Sequence, residues 1–268
     1  QCGSRGLGDV YKRQVYENMM SVYQNKGYIF SNVTPVITPV GENSLDILFK
    51  FNEGNKVYID QIFVSGNEKT RENVIRRELK IYPGDVFNRS KLMRSQRDIW
   101  ILNYFDNVIP DVTPVSDDKV SLDFLVEEKQ STQRINANLG FTGEYGMTGG
   151  AGVEFDNFRG RGQKLNVGIS TGTNFSLYSG QEPSKYKSLN ISFQDPMIND
   201  SPFLVGASVF YSYRGSSTNY YFPLDFTVGG AVASFGRRLE WPDDFFRVMW
   251  SVKFMQKEYE GTQADICL

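Results

Sequence analysis

The chain has 268 residues, with 29 Lys and Arg against 31 Asp and Glu and a net charge of -2, a balance that argues against the basic footprint of a nucleic-acid binder. It contains no His, and its two cysteines are Cys2 and Cys267, so neither a Ser-His-Asp nor a Cys-His nucleophile can be assembled, nor a His-bearing zinc site. No window reaches the roughly 18 apolar residues of a spanning helix, but the alternating strands of a transmembrane barrel escape that test.

Residues 1–14 show no clear period and resemble a translated adaptor scar at the edge of an assembled fragment. Residues 264–268 resemble one too, and a native terminus is the alternative at both ends. From Tyr16 to Tyr28 the pattern is helical. An internal repeat follows. Phe30-Ser-Asn-Val-Thr-Pro-Val-Ile-Thr-Pro-Val40 aligns with Phe105-Asp-Asn-Val-Ile-Pro-Asp-Val-Thr-Pro-Val115, with seven of eleven positions identical at an offset of 75. Each copy is followed by an alternating strand, Ser44–Phe51 or Val120–Val126, and preceded by a helical stretch. A repeat of this length points to an array of small domains that display binding surfaces.

The second copy reads as a whole unit. Val57–Ser65 is a strand ended by Gly66-Asn67, and Thr70–Leu79 is a short helix with Val74, Ile75 and Leu79 inward. Ser90 is expected to cap a second helix, with Leu92, Met93, Gln96, Ile99 and Trp100 on one face. Val108–Pro114 and Lys119–Val126 form a hairpin around Ser116-Asp117-Asp118. The order is β-α-α-β-β.

From about residue 132 the chain becomes rich in Gly, Ser, Asn and aromatic residues, and the boundary is placed at Gln130–Gln133. Apolar and polar residues alternate over 134–142, 164–172, 188–194, 203–214 and 246–257. In the first, Ile135, Ala137, Leu139 and Phe141 oppose Arg134, Asn136, Asn138, Gly140 and Thr142. Such lengths fit tilted membrane strands, whereas the strands of a soluble sandwich, the competing reading, are usually about 5–6 residues. Asn157–Lys164 is Gly-rich and basic but lacks the Walker spacing, so it reads as a hairpin turn. Glu127 and Glu128 are adjacent, point to opposite faces of a strand and cannot form a catalytic pair.

These units resemble a known family. The turn Val64-Ser65-Gly66-Asn67, the run Ile75-Arg76-Arg77-Glu78-Leu79, Pro83-Gly84-Asp85 and the junction Leu102-x-Tyr104-Phe105-x-x-Val108 resemble the polypeptide-transport-associated (POTRA) domain. Val126-Glu127-Glu128-Lys129, Gly140-x-x-Gly143, the run from Gly152 to Gly162, Asn166-x-Gly168, Asp195-Pro196 and Gly236–Asp244 are similar to the barrel of the POTRA-barrel family that assembles outer-membrane proteins. The fold implied is α+β POTRA repeats followed by the N-terminal strands of an antiparallel transmembrane β-barrel. Its expected parts are residues 15–55, the C-terminal part of one repeat; 56–130, a complete repeat; and 131–263, six or seven barrel strands.

The resemblance implies assembly and insertion of β-barrel proteins into the outer membrane, with the POTRA repeats in the periplasm. It implies no catalysis, metal or cofactor. Its partners would be unfolded outer-membrane proteins, accessory lipoproteins, periplasmic chaperones and the lipid bilayer, with no nucleic acid. Two edges are candidates for adding a client strand. One is the POTRA strand at Val108, Ile109, Asp111, Val112 and Thr113, where Pro110 and Pro114 suit an edge. The other is the first barrel strand, Gln133, Arg134, Ile135, Asn136, Ala137, Asn138, Leu139 and Gly140, whose Gly and Asn make it a poor, separable partner. An ordinary closed seam is the alternative there. Glu128, Arg76 and Arg77 are candidates for contact with a lipoprotein partner, against the plainer reading of solvated residues. The alternative function is a POTRA-barrel secretion transporter exporting a soluble client.

Overall fold

A computed structural model describes residues 3–40, 44–142, 146–173, 185–215, 225–239, 241 and 246–260. Cys2, Gly143, Pro242–Asp244 and the 264–268 segment, all named above, lie outside the described residues. The elements in order are α1 (Gly3–Asn25), β1 (Asn32–Val40), β2 (Ser44–Asn52), β3 (Tyr58–Ser65), α2 (Glu72–Arg76), α3 (Arg89–Ile101), β4 (Phe105–Ser116) and β5 (Lys119–Glu128). The barrel-like part has β6 (Gln133–Thr142), β7 (Gly146–Phe158), β8 (Gln163–Thr173), β9 (Lys185–Asp195), β10 (Phe203–Arg214), β11 (Asp225–Arg238) and β12 (Arg247–Glu260). A single 3-10 turn, Ile198–Asp200, precedes β10. Contacts divide the chain into two compact units. One is Gln1–Glu68 with Ile75–Glu128, and the other is Lys69–Val74 with Lys129–Leu268.

In the first unit, β3, β5 and β4 form a sheet in that order, β3 parallel to β5 and β4 antiparallel to it. Alternation decides the buried face. Val120, Leu122, Phe124 and Val126 of β5 are all buried, together with Ile59 and Ile62 of β3. Ile75, Leu79, Leu92 and Ile99, from the end of α2, the turn after it and α3, are buried with them. Burial of this many large apolar side chains, each worth about 1.5–3 kcal/mol, makes this the core of the unit. The first repeat supplies the two-stranded sheet β1–β2, packed against α1, where Tyr23 stacks on Phe51 at 5.3 Å.

Three helix details differ from expectation. The first helix is not confined to Tyr16–Tyr28 but runs from Gly3. The cap of α3 is Asn88, whose side chain accepts from the Lys91 N–H at 2.9 Å, while Ser90 instead bonds Asn25 of α1 through its N–H and hydroxyl. Met93 and Trp100 are exposed, 48% and 57%, and the inward face is completed by Ser95 and Asp98. Ser95 is a satisfied buried hydroxyl: it donates to the Lys91 carbonyl at 2.9 Å and accepts from the Lys80 N–H at 2.8 Å. A polar residue with both bonds met can replace an apolar one in the core.

The second unit is a seven-stranded antiparallel meander in chain order, with β6 and β12 at its edges. Its register aligns one apolar row across every strand: Ile135, Val153, Val167, Ile191, Val209, Ala231 and Phe254. A polar row on the other face runs through Asn138, Gly150, Ser170, Ser188 and Ser212. Large apolar side chains of the first face stay uncovered, including Ile169 at 58% and Val209 at 60%. An apolar face this broad, backed by a polar one, is the pattern of a sheet with lipid on one side and water on the other.

Candidate functional site

The strand β6 starts the meander and pairs with β7 alone among the described residues. Every second residue of an antiparallel edge turns both its N–H and its carbonyl to the free side, so β6 offers an open ladder. Its pairing on the other side is uneven. At its start, Arg134 reaches Glu154 at 3.1 Å and Asp156 at 2.9 Å across β7, and Lys164 of β8 lies 3.6 Å from Asp156. Asp156 is buried, and this arrangement of two cations and two carboxylates fixes the register there. Beyond it, Asn136, Asn138 and Leu139 face Gly152, Gly150 and Gly149, and Ala137 faces Ala151. The approach is close at one of these positions: a Cβ on Gly150 would lie 2.7 Å from Asn138 Oδ1. Cross-strand side-chain pairs stabilise sheets by about 0.2–1 kcal/mol each, and this stretch has almost none.

The other edge strand of the meander is held differently. Phe226 and Tyr259 pair at 4.9 Å between β11 and β12, Phe235 and Trp250 at 6.2 Å, and Lys253 Nζ sits 4.9 Å from the Phe210 ring. Each such aromatic pair is worth about 0.5–1.5 kcal/mol beyond its buried area. Among the seven strands, β6 combines a free edge with the weaker hold.

The β7–β8 turn, read from sequence as a hairpin turn, runs through Arg159, Gly160 and Gly162, all at positive φ. The Gly160 carbonyl accepts from the Arg71 N–H at 2.9 Å, and Asn157 Nδ2 donates to Thr70 Oγ1 at 2.9 Å. A Cβ on Gly160 would run into the Lys69 carbonyl oxygen. Asn73 Nδ2 also donates to the Asp200 carboxylate at 3.0 Å. The short segment Lys69–Val74 is therefore seated on the turns of the strand-rich unit. This was not legible in sequence, because it depends on a backbone approach between residues about 90 positions apart.

The second candidate edge is β4. Val108, Ile109, Asp111, Val112 and Thr113 do lie on an edge strand. Pro110 and Pro114 stand opposite Phe124 and Val120. Proline cannot donate, so positions 108, 110, 112 and 114 are those whose backbone groups face the free side. Two hydrogen bonds there were not foreseen. The Val108 N–H donates to Asn107 Oδ1 at 3.0 Å, and the Val112 N–H donates to Asp111 Oδ1 at 2.9 Å. Gln96 Nε2 of α3 donates to the Val108 carbonyl at 2.7 Å.

Comparison with known proteins supports the same fold. Residues 6–54 and 57–129 match the family model POTRA, described as a surface antigen variable number repeat. The chain is also similar to outer membrane protein assembly factor BamA of Neisseria meningitidis serogroup B, 33% identical over 61% of this chain and 21% of that protein. It is 28% identical to BamA of Neorickettsia risticii over 82% of this chain and 28% of that protein. Among solved structures, BamA from Haemophilus ducreyi lacking POTRA domains 1-3 superposes with a TM-score of 0.80 at 19% identity, covering 95% of this chain and 46% of that one. CdiB from Escherichia coli superposes at 0.53 and 12% identity, covering 92% and 45%. The fold is thus that of POTRA repeats followed by strands of an outer-membrane barrel, and the chain spans about a quarter of the length of these BamA relatives.

Within the second POTRA repeat, the three remaining candidate residues are Glu128, Arg76 and Arg77. Glu128 ends β5 opposite Phe105 and is half-buried. Arg76 ends α2, and its Nη2 donates to the Ile62 carbonyl at 2.9 Å, next to the register shift in β3. That bond gives Arg76 a role in closing the sheet. Arg77 is half-buried beside it in sequence.

Proposed function

We propose that this chain belongs to a protein that assembles β-barrel proteins in the outer membrane, with its POTRA repeats in the periplasm and its strand-rich unit in the membrane. In this reading β6 receives the client. A client segment adds as a strand to its free edge, gaining backbone hydrogen bonds that do not depend on sequence. Residues Gln133, Arg134, Ile135, Asn136, Ala137, Asn138, Leu139 and Gly140 form the template. The observation that carries it is the pairing of this edge strand with a run of glycines on β7, which leaves it weakly held. Anchoring at Arg134 keeps one end in register while the rest exchanges partners. No titrating side chain or cofactor takes part in such an exchange.

The partners follow from this reading: unfolded outer-membrane proteins as clients, periplasmic chaperones that deliver them, accessory lipoproteins of the assembly complex, and the bilayer around the apolar face. Glu128 and Arg77 are the proposed lipoprotein contacts. Arg76 contributes less, because its guanidinium is engaged with Ile62. The transporter reading has weaker support, since CdiB superposes at 0.53 against 0.80 for BamA.

The test is replacement of Asn138 or Gly140 by Pro in the intact protein, reconstituted in liposomes and supplied with an unfolded client. Each proline removes an N–H and distorts the ladder. The expected result is loss of client insertion while the barrel still shows its heat-modifiable folded form on gels. Insertion at the wild-type rate by a folded Asn138→Pro protein would sink the templating role.

A further inference from the structure

The two POTRA repeats present equivalent edge strands, β1 and β4, related by the offset of 75. Their free sides are not equivalent. On β4, the N–H groups of Val108 and Val112 are capped by Asn107 and Asp111, and Pro110 and Pro114 have none. From Val108 to Pro114 the edge presents no uncommitted donor. The opposite edge of the same sheet is also covered. Phe87 N–H bonds the Val57 carbonyl, Ile59 exchanges bonds with Asp85 and Gly84, and Arg76 takes the Ile62 carbonyl.

On β1 the same positions are Val33, Pro35, Ile37 and Pro39, with Pro35 opposite Phe49 and Ile37 opposite Ile47. The residue equivalent to Asp111 is Val36, which cannot cap the Ile37 N–H. The residue equivalent to Gln96 is Ser21, whose hydroxyl bonds the Asn18 carbonyl within α1. Ile37 therefore keeps both backbone groups on the free side, with no partner among the described residues. Pro35 and Ile37 are exposed, and Val36 and Leu48 expose apolar surface on the other face of the hairpin.

We infer that strand addition on the POTRA repeats occurs at β1, centred on Ile37, and that β4 is closed to it by Asn107, Asp111 and its prolines. The occupant is an extended backbone. It exchanges two hydrogen bonds with Ile37, donates to the carbonyls of Pro35 and Pro39, and lays apolar side chains beside Ile37 and against Val36 and Leu48. An alternating strand of a barrel client has that form; this identity rests on the reading proposed above. A strand laid on β4 would instead leave its own carbonyls facing proline rings and capped amides, and buried unpaired carbonyls are costly. Two side chains thus separate the repeats at this edge: Val36 against Asp111 for the donor, and Ser21 against Gln96 for the carbonyl at its start.

The test uses the intact protein in detergent and a fluorescein-labelled peptide of residues 203–214, an alternating barrel strand, with p-benzoylphenylalanine placed at Thr38 or at Thr113. Cross-linking is expected at Thr38 and not at Thr113. Val36→Asp, and the neutral cap Val36→Asn, should each lower the Thr38 cross-link roughly three- to tenfold, the factor that corresponds to one net backbone hydrogen bond. Asp111→Val should raise the signal at Thr113. Equal cross-linking at the two positions, or at neither, or a Thr38 signal indifferent to both Val36 substitutions, would overturn the inference. The insertion assay on Asn138→Pro is separate: wild-type insertion there removes the templating role of β6, whereas failure at Thr38 removes strand addition at β1 and leaves that role standing.

Discussion

Arg134 holds β6 at the end where its ladder begins. It reaches two carboxylates at 3.1 and 2.9 Å, and one of them, Asp156, is buried. Arg134 itself is about half exposed, so solvent screens part of the attraction. Arg134→Met should cost about 1 kcal/mol and act locally. The check is amide hydrogen exchange, which should speed up first at Gln133–Asn136 with little change in β10. Gly160 is constrained from two directions, by its positive φ and by the Lys69 carbonyl. Gly160→Ala should destabilise the second unit by roughly 2 kcal/mol, combining left-handed strain with displacement of the Lys69–Val74 segment. A lower urea midpoint for the barrel's unfolding is the expected readout.

At the scale of elements, β6 and β7 are held mainly by their backbone, and the proposed exchange of partners at β6 rests on that. Gly152 offers a direct test, because a Cβ there meets its nearest neighbour at 3.4 Å and fits. Gly152→Ala should strengthen the β6–β7 hairpin by roughly 0.5–1 kcal/mol and slow client insertion without altering the fold. Faster insertion by that variant would contradict the exchange of partners at β6. The same contrast explains which elements could be read from sequence. The middles of β6, β8 and β9 alternate apolar and polar residues, so alternation revealed them. In β7 the polar and apolar faces both carry Gly, and in β11 Val228 and Val232 sit on the polar face, so the period is lost. The α3 helix misled in a different way: Met93 and Trp100 supplied a helical apolar stripe, but the buried row includes Ser95, whose hydroxyl is hydrogen-bonded in place, and Asp98, whose carboxylate lies 3.9 Å from Lys80 Nζ and 4.0 Å from Arg94 Nε. The two caps on the β4 edge could not be read either, because Asn107 and Asp111 look in sequence like ordinary turn-forming residues.

For the whole molecule, the account joins two POTRA repeats with one open edge to a strand-rich unit whose first strand is weakly held. Partner recognition is assigned elsewhere, to the end of β5. Glu128→Lys in the intact protein should reduce co-purification of an accessory lipoprotein while leaving the POTRA fold unchanged by circular dichroism. Undiminished co-purification would remove Glu128 from that contact. The most direct test of the central claim is disulfide scanning during assembly. Cysteines are placed singly at Ile135, Ala137 and Leu139 of β6, and at Val167 of β8 as an interior control, against a client carrying one cysteine in its terminal strand. The account predicts cross-links at all three β6 positions, each favouring a client position in antiparallel register, and none at Val167. Client insertion with no β6 cross-link, or with cross-links equally strong at Val167, would contradict it.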